Sequence, residues 1–218
     1  MPAAPRPAHP IALSALLVLM ACSEYEPTPR TFESEPEVQD EVPAHWAPVS
    51  EAERSADPDF HAMMDVLTHK RCINCHPSDG QPRQGEDSHV HNFGMRRGVD
   101  NLGFEATRCT TCHQHSENND FSGVPGAPEW SLAPASMGWW GLSRYEIAKA
   151  MLDPAKNGGR DHEALVHHLT EHALVLWAWD PGITASGEAR ETPPVSKQDY
   201  VKAVKAWFGK GAIIPNPS

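Results

Sequence analysis

One five-residue pattern, Cys-x-x-Cys-His, occurs twice in this chain of 218 residues. The first copy covers residues 72–76 and the second covers residues 109–113. Each copy places two thiols three positions apart and an imidazole directly after the second thiol. Together the copies use four of the five cysteines in the chain, and only Cys22 lies outside them. The fold must therefore present two sites of the same chemistry from a short stretch of sequence.

This spacing is the pattern for covalent attachment of c-type haem. Two thiols at that separation can add to the two vinyl groups of one porphyrin. The histidine that follows is then held beneath the ring, where it can ligate the iron. The sequence thus predicts two haem c groups as cofactors. The predicted residues are Cys72, Cys75, Cys109 and Cys112 for the covalent bonds, and His76 and His113 as proximal iron ligands.

Two other uses of the same cysteines remain open. A zinc site could take all four thiols, but the paired knuckles of zinc ribbons are typically separated by about 15–20 residues. Here 33 residues, from 76 to 108, separate them. Redox-active dithiols also use a Cys-x-x-Cys spacing. Neither alternative explains why a histidine follows both motifs, so haem attachment is favoured.

The N-terminus has the pattern of a secretory signal. Residues 1–10 carry an arginine and no acidic side chain, and residues 11–20 are an apolar run too short to span a membrane as a helix. Leu-Met-Ala-Cys at residues 19–22 resembles a bacterial lipobox, which predicts lipidation of Cys22. A plain signal peptide with an incidental cysteine is the alternative. Because Ser23 follows, the resemblance to Gram-negative lipoproteins implies a lipid anchor in the outer membrane, facing the periplasm.

The chain divides into three predicted segments. A lipoprotein-type signal peptide covers residues 1–21. Residues 22–56 are acidic and interrupted by prolines, a composition that cannot bury enough apolar surface to fold, so they are predicted to form a disordered tether. A tether that wraps on the domain, with Trp46 as an anchor, is the alternative. The dihaem cytochrome domain is predicted at residues 57–218.

The charge balance of the chain is acidic. Its 18 Lys and Arg residues and 29 Asp and Glu residues give a net charge of −11. Such a surface disfavours nucleic acid, whose phosphates need basic side chains, and favours partners with a basic docking patch. The hydrophobic content of 39% is low for a globular protein. Two buried haems would supply the missing apolar core.

Helix-capping residues precede several segments of helical periodicity, and no strand alternation stands out. The predicted fold class is mostly α, with cytochrome-c-like helices and long loops wrapped around the two haems. The predicted helices cover residues 58–70, which lead into the first motif, and then about 143–152, 161–177 and 196–209.

The motifs do not determine the second axial ligand of each iron, which comes from wherever the fold brings it. Most of the 13 histidines are expected to be ordinary surface or hydrogen-bonded residues. Three candidates stand above the rest. Met137, in an apolar loop after the second motif, ranks first. His91, close to Met95 between the motifs, ranks second, and His168, one helical turn before His172, ranks third.

The covalent motifs resemble those of c-type cytochromes. A narrower resemblance rests on the phrases at residues 123–128, 153–160 and 174–182, which are similar to those of dihaem cytochromes associated with molybdenum hydroxylases of the isoquinoline or aldehyde oxidoreductase type. This resemblance implies a subunit or accessory protein that takes electrons from a molybdopterin and iron–sulfur enzyme. The chain itself has no molybdopterin or iron–sulfur pattern.

Three classes of function fit these features. The favoured class is a periplasmic electron-transfer protein, not itself an enzyme. It would relay electrons between a redox enzyme and a cytochrome or oxidase acceptor of the respiratory chain. A dihaem peroxidase is the enzyme alternative, and it would need one five-coordinate haem with a polar distal pocket. A haem-based ligand sensor is the third class, and it would bind carbon monoxide when reduced.

Overall fold

The computed structural model describes residues 49–216. The predicted signal peptide, the lipidation site at Cys22 and most of the predicted tether lie outside these residues. Helices dominate the described part, and β-structure is limited to two-residue strands and isolated bridges, so the fold is mostly α. Within residues 49–216, no helix is both long enough and apolar enough to cross a membrane.

Seven α-helices and two small hairpins follow one another along the described residues. The helices are α1 Glu51–Ala56, α2 Pro58–Leu67, α3 Lys70–Ile73, α4 Arg144–Leu152, α5 His162–Glu171, α6 Ala173–Leu176 and α7 Lys197–Gly209. Strands β1 Arg83–Gln84 and β2 His89–Val90 form the first antiparallel hairpin, and β3 Gly103–Phe104 and β4 Thr107–Arg108 form the second. Short 3-10 turns lie at Asn92–Gly94, Cys109–Thr111, Ala135–Met137 and Trp177–Trp179.

The predicted helix starts are confirmed. At each, the side chain of the N-cap accepts a hydrogen bond from the backbone N–H three residues later; the caps are Asp57, Ser143, Asp161 and Ser196. Such bonds satisfy N–H groups that have no partner within the helix.

Two predicted helix ends are wrong. The first helix ends at Leu67, and a separate turn, α3, begins at Lys70. The helix predicted from 161 to 177 breaks at His172, whose ψ of 125° is extended. Apolar periodicity continues through both breaks, so sequence pattern alone does not reveal them.

The predicted tether extends too far towards the domain. Its last six residues form α1, which begins with a capping box between Ser50 and Glu53. Arg54 of α1 donates a hydrogen bond to Asp65 of α2, and Tyr145 of α4 donates one to Glu53. These contacts attach α1 to the helical domain, so any tether ends before Ser50.

The core lies between α2 and α7, and α5 also packs against α7. α2 contributes Phe60, Met63 and Met64, which are fully buried, and α7 contributes Tyr200 and Trp207. Burying a large apolar side chain stabilises a fold by about 1.5–3 kcal/mol. This helical core supports the residues that lead into the first motif.

A buried polar cluster ties α4 to α2. The Arg144 guanidinium donates to Nδ1 of His61 at 3.1 Å and to Asp65 at 3.2 Å. His61 is only 1% exposed. Burial, and then the positive charge of Arg144, lower the pKa of His61 below its ordinary value of 6.5. The ring therefore acts as a neutral acceptor in the folded protein.

We expect this cluster to make the fold sensitive to mild acid. Below pH 6.5 the unfolded chain takes up the proton of His61 and the folded chain does not, so stability falls as the pH drops towards the lowered folded pKa. Thermal unfolding between pH 7.5 and about 5 would measure the slope. His61→Asn keeps an acceptor for Arg144 without a titrating group, so its slope should be shallower. An unchanged slope would contradict this role of His61.

Candidate functional site

The first motif lies at the end of the helical pair α2 and α3. Cys72 belongs to α3. The turn continues through Cys75 and His76, whose backbone N–H groups donate to the carbonyls of Cys72 and Ile73. This turn brings both thiols and the imidazole to the wall of one cavity.

That cavity has a volume of about 280 Å³. Apolar side chains from α2, α5 and the loop before α4 form most of its wall, with Leu67, Leu132 and Leu165 among them. Two further histidines, His168 and His172, line it from α5 and the helix break. The cavity therefore combines an apolar interior, a pair of thiols and several imidazoles.

One hydrogen bond and one stacking contact hold the imidazole of His76. Its Nδ1 donates to the carbonyl oxygen of Met137 at 2.8 Å. Its ring stacks on Trp139, with centroids 3.6 Å apart and planes inclined by 14°. Gly138 lies between these partners, and a Cβ there would come within 2.8 Å of the Cα of Ser78. The loop needs glycine to approach the backbone that follows His76.

His113 of the second motif has the same kind of surroundings. Its Nδ1 donates to the carbonyl oxygen of Pro125 at 2.7 Å. Its ring stacks on Trp130, with centroids 4.3 Å apart and planes inclined by 10°. A glycine again follows the accepting residue, and a Cβ on Gly126 would come within 2.2 Å of the carbonyl oxygen of Glu117. Both histidines thus bond to the carbonyl of an X-Gly step and stack on a tryptophan.

These contacts determine which nitrogen of each ring is free. A carbonyl oxygen can only accept, so His76 and His113 both carry a proton on Nδ1 and leave Nε2 as the free base. Metal-binding histidines are oriented by a hydrogen bond of this kind from the other nitrogen. Burial lowers the pKa of both rings to about 4. Both are therefore neutral at neutral pH, which is the form that ligates a metal.

The thiols of the first motif are not poised for redox chemistry. Burial raises the pKa of Cys72 to about 12 and that of Cys75 to about 11, and it also raises the pKa of Cys109. Reactive dithiols depend on a thiolate with a lowered pKa. These protonated thiols therefore count against the dithiol alternative.

A zinc cluster is also absent from the described residues. Within residues 49–216, no three or more His, Cys, Asp or Glu side chains are grouped so that they could hold a metal ion. The four motif cysteines therefore do not converge as a zinc ribbon requires.

Residues 130–133 connect the two motifs. The N–H of Ala133 donates to the carbonyl of Cys75 in the first motif. The N–H of Leu132 donates to the carbonyl of Asn101, and the next carbonyl, that of Leu102, accepts from the N–H of Cys109 in the second motif. Trp130, stacked on His113, also meets Trp177 edge to face at 5.0 Å. Trp177 lines the cavity of the first motif, so backbone and aromatic contacts both join the two sites.

The three candidate axial ligands lie in different places. Met137 and His168 both line the first cavity. The carbonyl of Met137 accepts from Nδ1 of His76, whereas the ring of His168 lies beside that of His172, with centroids 4.9 Å apart. His91 lies beside the second motif, with its ring centroid 6.1 Å from that of His113. Met95 is buried, with 7% of its surface exposed.

Several residues of the sites were not predicted. These are Trp139 and Trp130, which stack on the histidines, and the accepting carbonyls of Met137 and Pro125. The one signal in their sequence is that a glycine follows each acceptor and a tryptophan follows within a few residues. His172 was noted only as a neighbour of His168. Its Nδ1 is buried with no partner among the described residues, and its Nε2 lies 3.3 Å from Glu129.

Comparisons of the chain with protein-family models, with curated proteins and with solved structures found no match.

Proposed function

We propose that this chain is a dihaem c-type cytochrome that transfers electrons. The observation that carries the proposal is the shared arrangement around His76 and His113. Each ring bonds to a backbone carbonyl through Nδ1, stacks on a tryptophan and keeps Nε2 free. The first histidine follows an α-helical turn and the second follows a 3-10 turn. Two different local structures thus prepare the same ligand, which supports two iron sites of one kind.

The residues of both motifs fit the group. The thiols of each motif would hold one haem c, with His76 or His113 as the proximal ligand, and the apolar cavity would enclose the first haem. Such a haem supplies reversible one-electron transfer, at a potential tuned by axial ligands, hydrogen bonds and burial. The Nδ1–carbonyl bonds orient each imidazole and raise its basicity as a ligand.

His168 is favoured over Met137 as the second axial ligand at the first site. Nδ1 and Nε2 lie on opposite sides of an imidazole, and Met137 accepts from Nδ1 of His76. The backbone of Met137 therefore lies behind the proximal ligand. His168 lines the same cavity, and burial lowers its pKa to about 4, so the ring is neutral and free to ligate.

The connection between the sites favours a relay over two independent centres. Trp130 stacks on His113 and contacts Trp177, which lines the first cavity. Backbone contacts of Leu132 and Ala133 bring the two motifs close together. Two haems attached at such neighbouring positions would exchange electrons within one protein.

The location and partners of the protein belong to the same proposal and rest on the sequence. The signal pattern and the lipobox-like end at Cys22 support an exported chain with a lipid anchor. The anchor would lie in the outer membrane, with the protein on its periplasmic side. The net charge of −11 supports redox partners with basic docking surfaces. A molybdopterin oxidoreductase as donor and a cytochrome or oxidase as acceptor fit the narrower family resemblance.

The test is to count and characterise the haems of the mature protein, made in a host with c-haem maturation machinery. We expect two covalent haems per chain by pyridine haemochrome and intact mass, low-spin spectra, and two one-electron steps in a redox titration. A haem-free chain would refute the proposal. One high-spin haem together with rapid turnover of hydrogen peroxide would contradict electron relay and favour the dihaem peroxidase.

A further inference from the structure

We infer that His91 is the second axial ligand at the second motif, opposite His113. This assignment rests on the proposed function, because it presupposes a haem iron at His113. The second site would then have two histidine ligands, one before and one after the second hairpin in the chain. The sequence alone left His91 free to serve either iron, or neither.

The separation of the two rings matches a shared metal ion. The centroids of His91 and His113 lie 6.1 Å apart, and the ring planes are inclined by 64°. Imidazole nitrogens bind transition metals at ~2 Å, and the nitrogen lies about 1 Å from the ring centre, so two imidazoles on one ion have centroids about 6 Å apart. Edge-to-face packing of two rings covers the same range of about 4.5–7 Å, so the orientation of the ring nitrogens has to carry the distinction.

The hydrogen bonds of both rings point to the same use. Nδ1 of His91 donates to the carbonyl oxygen of Asn92 at 2.8 Å, and Nδ1 of His113 donates to that of Pro125 at 2.7 Å. Each carbonyl can only accept, so Nδ1 of each ring carries a proton and Nε2 is the nitrogen left to bind a metal in the neutral ring. The tautomer that a ligand needs is thus set on both sides by the protein backbone.

The backbone at His91 is well supported. The N–H of His91 donates to the carbonyl of Pro82, and the N–H of Arg83 donates to the carbonyl of Asn74, inside the first motif. The side chain of Gln84 accepts from the N–H of Asn92 at 3.2 Å. The first hairpin and its bond to Asn74 therefore hold the backbone at His91 in a defined position, as a metal ligand requires.

His91→Ala tests the assignment, and His89→Ala is the matched control. His89 lies two residues earlier on the same hairpin, where its Nδ1 contacts Asp87 at 2.6 Å. We expect His91→Ala to keep two haems per chain, to convert one of them to high spin, and to bind one more carbon monoxide per chain than the parent protein when reduced. Added imidazole should restore the low-spin spectrum. His89→Ala should match the parent protein.

A second variant keeps the test decisive if His91→Ala does not retain its haem. His91→Met offers a different ligand and should add the weak far-red absorption of methionine–iron bonding, with a higher potential at one haem. Parent-like spectra for both His91 variants would overturn the assignment. Loss of a far-red band in Met95→Leu would overturn it too, because Met95 would then be the ligand. A parent protein with fewer than two haems would instead refute the proposed function.

Discussion

Replacing Cys109 and Cys112 together by serine is expected to leave one covalent haem per chain instead of two. Serine keeps the size and polarity of each side chain but cannot form the thioether. The second motif lies on a 3-10 turn at the edge of the domain, and Cys112 is exposed. The helical core does not depend on it, so the variant should still fold. Intact mass and pyridine haemochrome on the purified protein measure the count.

The matching variant, with Cys72 and Cys75 replaced by serine, should behave differently. These cysteines line the cavity beside the core of α2 and α7, so loss of the first haem would leave an unfilled apolar space. Unfilled core volume is strongly destabilising, and we expect little soluble haem protein from this variant. Two haems retained in either double variant would contradict covalent attachment by that motif.

The sequence was sufficient to predict where four of the helices begin, because helix starts depend on local chemistry. Side chains such as Ser143 and Asp161 bond to N–H groups three residues away, and that distance along the chain is visible in the sequence. The breaks were not predictable in the same way. His172 takes an extended conformation although apolar residues continue beyond it, and α1 lies within an acidic stretch that composition alone assigns to a tether.

The candidate sites also combine residues that form local sequence patterns with residues brought together over long distances in the chain. The four cysteines and the histidines of the two motifs form local patterns, which are visible directly in the sequence. The partners of those histidines lie far away in the chain: Met137 is 61 residues from His76, and Pro125 is 12 residues from His113. Long-range contacts of this kind depend on loop paths that no periodicity reveals.

The ranking of axial ligands changed for a geometric reason. The sequence favoured Met137 because an apolar loop with a methionine follows the second motif. The same loop does approach the first site, but through the Met137 carbonyl, which holds the proximal ring. The sequence therefore singled out a loop that reaches the first site, but it did not show that the loop contacts His76 through a backbone carbonyl.

His168→Ala is expected to open the first site. The variant should keep two covalent haems, because His76 and both thiols remain. One haem should become high spin, and the reduced protein should bind one more carbon monoxide per chain than the parent. Burial at this position favours the neutral ring, so in the parent protein the ligand should persist to mildly acidic pH. Magnetic and optical spectra with a carbon monoxide titration measure these changes.

Met137→Leu is the matched control, since it removes the sulfur and keeps both the volume and the backbone carbonyl that holds His76. Its spectra should remain those of the parent. If Met137→Leu opens the site and His168→Ala does not, the methionine is the ligand despite its position behind the ring.

The combination of His168→Ala with His91→Ala gives the strictest test. The first variant acts at the cavity of the first motif and the second acts beside His113, so their effects should add to two more bound carbon monoxide molecules per chain.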